Sequence, residues 1–277
     1  MTKTIVITGA SDGIGAAAAR ELVKQGEKVV IVGRSPEKTK KIAKELGADF
    51  FIADFARLSE VRRLADGLKA KYKTIDVLAN NAGGMVDAKA VTEDGFGLAF
   101  QVNYLAPFLL TNILLDTLIA SKATVINTSS MAHTGAGKLR FDELSRGLKH
   151  SGWGAYAGVK LLNLLFTREL HKQYASKGIS TVAFHPGVVR TSFGSEGSSL
   201  VKWFYNSKLA KAVFLTPAQG ADTLVWLATH SPKKDWKPGQ YYIKRKLAKA
   251  TATAMDAELA TSIWNDTLKL LNMPTTR

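Results

Sequence analysis

Apolar residues in this chain follow two rhythms. Short, mostly apolar runs of four to six residues at 4–7, 28–32, 48–53, 75–79, 124–129 and 179–184 read as strands. Runs that short, without polar alternation, mark strands covered on both faces. Longer stretches between them read as helices: an Ala-rich one through Val23, then 36–46, 58–72, 156–175 and 217–229. Ser35 and Pro36 supply an N-cap and a first helical residue. Residues 93–119 read as two helical segments broken near Pro107, 240–243 as a last strand, and 252–271 as a final helix. Strand–helix alternation predicts a doubly wound parallel α/β sheet of about seven strands with helices on both faces. Such sheets bind ligands at the carboxyl ends of their strands, where Gly9, Arg34, Asp54 and Asn80 fall.

No repeat or linker divides the pattern, so a single domain over 1–277 is expected. Its parts are a core at 1–190, a lid at 191–216 and a C-terminal extension at 246–277. The lid carries Phe193, Trp203, Phe204, Tyr205 and Phe214, with Gly194 and Gly197 as hinges.

Composition narrows the class. The 277 residues are 46% hydrophobic and 22% charged, as in a globular protein. Without cysteine there is no disulfide framework, thiolate nucleophile or Cys-based metal site. The five histidines lack metal-ligand spacing, and no metal is expected. The most apolar long stretch, 104–120, contains Pro107, Asn112 and Asp116 and reads as a core helix rather than a membrane span. With no signal-peptide core at the N-terminus, a cytoplasmic protein is expected. The net charge of +15 fits a solvated basic surface, steering of anionic ligands, or attraction to lipid or nucleic acid. The densest cluster, Lys233 to Lys249, lacks amphipathic helical spacing, so neither membrane contact nor a nucleic-acid partner is expected.

Two motifs carry chemistry. Thr8-Gly9-Ala10-Ser11-Asp12-Gly13-Ile14-Gly15 joins a strand to a helix, the context of a phosphate-binding loop. Gly9 suits a tight turn, Gly13 a close-approaching pyrophosphate, and Gly15 tight helix–strand packing, with the helix N-terminus facing the anion. The second motif is Tyr156-Ala-Gly-Val-Lys160. A spacing of four on a helix puts phenol and ammonium on one face, where the cation lowers the phenol pKa and makes it an acid–base. Tyr242 and Lys246 repeat the spacing in a strand-like segment and are given no role.

Together with Asn80-Asn81-Ala82-Gly83, Asn103 and Ser130, these motifs resemble the short-chain dehydrogenases/reductases over residues 4 to about 245. Thr92-Glu93-Asp94-Gly95-Phe96, Leu109-Leu110-Thr111-Asn112, His185-Pro186-Gly187-Val188-Val189-Arg190-Thr191 and a tail with Asp256 and Trp264 look most like the retinol-dehydrogenase-like branch. The resemblance implies a carbonyl–alcohol oxidoreductase with Tyr156, Lys160, Ser130 and Asn103 catalytic. Ser130 holds the substrate oxygen, and Asn103 holds a water linking Lys160 to solvent. Ser129 competes with Ser130 because adjacent strand residues face opposite ways, and His133 stands where the family has Gly. Implied cofactor contacts are Gly9, Ser11, Asp12, Gly13, Ile14, Gly15, Arg34, Asp54, Asn80, Ala82, Gly83, Tyr156, Lys160, Val188 and Thr191. Ser130, Tyr156, Phe193 and Trp203 are the substrate residues.

NADP(H) is the expected cofactor. An NAD-selective site carries an acid at the end of strand two, where this chain has Gly33 followed by Arg34, with Lys38 a turn beyond. Asp12 points the other way, unless it caps the first helix. The expected partner is an apolar small-molecule carbonyl or alcohol. Monomer, homodimer and homotetramer all stay open. An NADP(H)-binding regulatory protein on the same fold, with little turnover, is the alternative.

Overall fold

In the computed structural model, residues 2–148, 151–189 and 214–274 are described. Strand β1 (Thr4–Thr8) feeds α1 (Gly13–Lys24), β2 (Lys28–Gly33) feeds α2 (Pro36–Leu46), and β3 (Asp49–Ile52) feeds α3 (Leu58–Lys71). Beyond β4 (Val77–Asn80) the chain turns into α4 (Leu98–Phe100), a wide π turn (Gln101–Leu105), α5 (Ala106–Ile113) and α6 (Leu115–Ala120). Next come β5 (Thr124–Thr128), α7 (Phe141–Ser145), α8 (Gly152–Tyr174) and β6 (Ser180–His185). The described chain closes with α9 (Pro217–Thr229), β7 (Gln240–Ile243), β8 (Lys246–Leu247), α10 (Ala252–Met255) and α11 (Ala257–Leu270).

The sheet order is β3-β2-β1-β4-β5-β6-β7-β8, parallel as far as β7, with β8 antiparallel to it. Side-chain alternation divides the core in two. Val6, Val30, Leu78, Val125 and Ala183 pack toward α3, α5, α8 and α11, while Ile5, Ile7, Val29, Ile31, Ile126 and Val182 pack toward α1, α2 and α9. Both faces are buried, which is why the strands show no polar alternation.

Several boundaries differ from the sequence reading. The sheet has eight strands rather than about seven. The additional strand, β8, is a two-residue, exposed hairpin partner reached through Lys244 and Arg245 at φ 50° and 61°, too short to leave a pattern. Pro107 does not break its helix. It stands in the first turn of α5, where a missing N–H costs little, and the break falls at Leu114 (ψ 0°). Residues 93–97 form a turn, with Gly95 at φ 83° and Phe96 O accepting from Thr92 N. Helix α8 starts at Gly152, capped by the Ser151 hydroxyl, so Tyr156 lies inside the helix rather than at its head. The final helix is interrupted at Asp256, whose carboxylate accepts from Glu258 N and Leu259 N and starts α11. Nearly all of the expected lid lies outside the described residues. Among the described residues no helix is long and apolar enough to cross a membrane.

Candidate active site

The glycine loop is built by close backbone approach. Gly9 has φ 67°, and a Cβ there would stand 2.8 Å from Ala82 Cα. A Cβ at Gly15 would strike the Gly9 carbonyl oxygen and stand 2.7 Å from Asn81 Nδ2. The Thr8 hydroxyl staples β1 to β4: it donates to Ala79 O and accepts from Asn81 N and Ala82 N, both at 3.0 Å. Asn81 Nδ2 donates back to Thr8 O at 2.9 Å. Asp12 caps α1, Oδ1 accepting from Gly13 N at 2.7 Å. Ile14 faces α9, where a Cβ at Gly220 would come within 3.2 Å of its Cγ1. No acidic residue stands in the first turn of α1. Bare backbone and a helix N-terminus here fit a pyrophosphate.

Arg34, Asp54 and Asn80, expected on the adenosine side, stand at or just beyond the carboxyl ends of β2, β3 and β4. Asn80 is 4% exposed and donates from Nδ2 to Thr111 Oγ1 and Asn127 Oδ1, tying β4 to α5 and β5. Asp54 is half-buried, and its Oδ1 accepts from Ala56 N at 3.0 Å. Arg34 is exposed at the end of β2. Lys38 pairs with Asp12, Nζ to Oδ2 2.9 Å. Ser11 lies against Gly33: a Cβ there would strike Thr39 Oγ1 and stand 2.7 Å from Ser11 Cβ.

The catalytic candidates converge where β5 meets α8. The Ser130 hydroxyl starts the turn after β5, accepting from Ala132 N at 3.1 Å, and stands near enough to the Tyr156 phenol to favour its ionised form. Ser129, 1% exposed, instead donates its hydroxyl to Lys160 O at 2.8 Å. Lys160 Nζ lies 5.4 Å from the Tyr156 ring centroid and donates to Thr128 O at 3.1 Å. Burial governs both ionisations. Desolvation raises the Tyr156 phenol above its ordinary value, opposed by the weaker effect of Ser130, and lowers Lys160 to about 8. The expected lowering of Tyr156 by the ammonium is therefore corrected: the cation sits by the ring and both groups have lost water.

Asn103 lies in the π turn, 1% exposed, with Nδ2 donating to Gly84 O and Ala99 O and Oδ1 accepting from Gly84 N. Both amide protons are thus spent on backbone, and Oδ1 lies close against Gly83. Val188 is 57% exposed beyond β6. Thr191, Phe193 and Trp203 lie outside the described residues.

Two neighbours of Tyr156 escaped the sequence reading. Trp153, 54% exposed, has its ring 6.3 Å from that of Tyr156. Its place three residues before Tyr156 was legible, but only once α8 was known to start at Gly152. Met131, equally exposed, follows Ser130 directly. His133, three residues after Ser130, and His185, at the end of β6, are both buried.

Residues 3–199 match the family model for the short chain dehydrogenases. A protein described as a daunorubicin C-13 ketoreductase, from Streptomyces sp. (strain C5), is 39% identical over 270 residues, covering 95% of this chain and 90% of its own. Retinol dehydrogenase 13 of Homo sapiens is 34% identical over 283 residues, covering 98% of this chain and 85% of that protein. Among solved structures, an uncharacterised protein from Mycobacterium paratuberculosis superposes with a TM-score of 0.78 at 31% identity, over 99% of this chain and 95% of that one. A short chain dehydrogenase from Escherichia coli CFT073, complexed with NADPH, does so with a TM-score of 0.64 at 26% identity, over 82% and 90%. Matched so far along its length by one family model and by these relatives, the chain belongs to the short-chain dehydrogenase/reductase family of oxidoreductases, in its retinol-dehydrogenase-like branch.

Proposed function

We propose that this protein is an NADP(H)-dependent oxidoreductase that interconverts a carbonyl and an alcohol on an apolar substrate. The observation that carries the reading is the meeting of Ser130, at the end of β5, with Tyr156 and Lys160 of α8, the Lys160 Nζ 5.4 Å from the Tyr156 ring. Burial keeps the Tyr156 phenol protonated at neutral pH, the state in which it donates to a substrate oxygen during reduction. The Ser130 hydroxyl holds that oxygen. Lys160, softened to about 8, holds the cofactor ribose and stabilises Tyr156 after its proton has left. The nicotinamide, when bound, carries the hydride.

NADP(H) is supported by the end of β2. An acidic side chain at Gly33 would collide with Thr39 and Ser11, while the exposed Arg34 guanidinium can fork onto a phosphate. The E. coli relative solved with NADPH agrees. An apolar substrate is supported by exposed Met131, which follows Ser130, and exposed Trp153, whose ring lies 6.3 Å from that of Tyr156. Relatives named for retinol and for a C-13 ketone support an alcohol or ketone.

Tyr156→Phe tests the mechanism in an NADPH-oxidation assay over a carbonyl panel. Turnover should fall about 10²- to 10⁴-fold, the contribution of a general acid, with NADPH binding retained. Near-normal turnover would overturn the reading.

A further inference from the structure

The carbonyl oxygen of Ser130 is held twice by one residue. It accepts from His133 N at 3.2 Å and from His133 Nδ1 at 2.7 Å. The backbone bond belongs to the 3₁₀ turn after β5 (Met131–Gly135), a geometry whose hydrogen bonds are poor by themselves. The ring supplies the second and shorter one. A carbonyl only accepts, so Nδ1 carries the proton, and Nε2 of the neutral ring is a bare acceptor.

That single bond is the ring's polar commitment. Nε2 is buried without a partner, which costs folding free energy rather than supplying it. The side chain is 2% exposed, and burial lowers its pKa below the ordinary value, so the ring is uncharged at neutral pH. Its one proton is spent on Ser130 O, so it has none to give a substrate. Tyr241 meets the ring edge-on, centroids 5.3 Å apart and planes at 81°, and holds its tilt.

Ser130 is thereby pinned at backbone and side chain together. Its hydroxyl oxygen accepts from Ala132 N at 3.1 Å, which leaves the hydroxyl proton for an acceptor outside the turn. The same turn carries exposed Met131. It also runs against α8, where a Cβ at Gly135 would stand 3.1 Å from Trp153 Nε1.

We infer that His133 is a positioning residue: by clamping the Ser130 carbonyl it fixes the turn that aims the Ser130 hydroxyl at the substrate oxygen. It acts through Ser130 and is neither acid nor base in the reaction. The inference rests on Ser130 holding that oxygen, as in the proposed function. A reacting geometry displaced by about 1 Å can cost about 10²-fold in rate. Losing one of two donors leaves the backbone bond in place, so a loss of about tenfold is expected.

The test uses the full chain with NADPH, and with retinaldehyde and phenanthrenequinone as carbonyl probes. His133→Leu fills the space without a donor. His133→Phe keeps a ring against Tyr241, carries the same prediction and stands in if His133→Leu does not fold. His133→Asn keeps an N–H close to the place of Nδ1. His133→Leu should lower kcat about tenfold while NADPH affinity holds. Its melting temperature should hold as well, because the lost hydrogen bond is offset by removal of the unpaired Nε2. His133→Asn should recover most of the rate. The deciding comparison is made in Ser130→Ala. With the hydroxyl gone there is nothing left to aim, so His133→Leu should cost no further rate, whereas a general structural role would cost the same factor in both backgrounds. Equal losses in the two backgrounds would overturn the inference. So would wild-type kcat in His133→Leu and His133→Phe, or His133→Asn no better than His133→Leu. Full turnover in Ser130→Ala, or a wild type that reduces neither probe, would instead sink the reading on which the inference rests, and the inference with it.

Discussion

Lys38 reaches across the mouth of the glycine loop to Asp12, Nζ 2.9 Å from Oδ2. Asp12 meanwhile spends its other oxygen on the N–H of Gly13. One carboxylate thus starts a helix and holds a cation beside the place proposed for a 2′-phosphate. Both partners are more than half exposed, so the pair is worth at most about 1 kcal/mol and releases Lys38 cheaply.

Cofactor preference should follow from this arrangement. Arg34→Ala should weaken NADPH by about 10- to 100-fold, the scale of a charge-assisted contact, and NADH far less. Lys38→Ala should cost less. Asp12→Asn keeps a capping oxygen and removes the charge, so NADPH affinity should rise. Titration of both cofactors into each variant decides. An Arg34→Ala effect of equal size on both would remove the assignment.

Gly33→Asp reads from the sequence as a switch toward NAD(H). The structure predicts otherwise, because its Cβ would collide with Thr39 Oγ1 and Ser11 Cβ. Overpacking of this kind costs about 1–3 kcal/mol. Gly33→Asp should therefore lower the melting temperature and weaken both cofactors. A clean gain in NADH affinity at unchanged stability would refute this.

The two serines should separate. Ser130→Ala removes the hydroxyl proposed to hold the substrate oxygen and should cut turnover strongly, with a stability loss of about 1 kcal/mol from the lost cap on Ala132 N. Ser129→Ala leaves the Lys160 carbonyl without its donor and should cost about 1 kcal/mol of stability, with a smaller loss of turnover. Rates and denaturant melts on both variants are the check, and a reversed order would contradict the observed register.

Lys160 should be a stability liability. Its folded pKa of about 8 lies below the ordinary 10.5, so between those values the unfolded chain binds more protons than the folded one. Stability from this group is therefore gained as pH rises through that window, and below about 8 the cost of the buried charge is fully present. Lys160→Met should abolish turnover yet raise neutral-pH stability, since Asn163 still donates to Thr128 O. It should also lose the gain between pH 8 and 10.5. Melts of both proteins across that range test it, and a less stable Lys160→Met would show that the ammonium stabilises the fold.

Much of this protein is written locally. The glycine spacing, the doubly buried strands and the Ser35-Pro36 start each depend on a few adjacent residues, and structure and sequence agree on them. The Tyr156–Lys160 spacing is local in the same way, since four residues make one helical turn, whereas Ser130 reaches that pair only through the packing of α8 against the end of β5. What escaped was set by long-range packing. Strand β8 has no apolar period, Pro107 is tolerated because of the turn before it, and the pKa directions of Tyr156 and Lys160 depend on how deeply other segments bury them.

The repeated Tyr-x-x-x-Lys spacing makes the division concrete. By itself the sequence determined that both pairs exist and that the first lies in helix-forming context. On α8 four residues make one turn, which puts Tyr156 and Lys160 together. Tyr242 and Lys246 are instead split across the β7–β8 hairpin, with Tyr242 opposite Leu247 and its hydroxyl accepting from Lys237 N. Only the tertiary structure brought His133, His185 and Tyr241, from three separate segments, into one buried cluster. Their meeting depends on the order of β5, β6 and β7 in the sheet, and no local spacing encodes that order.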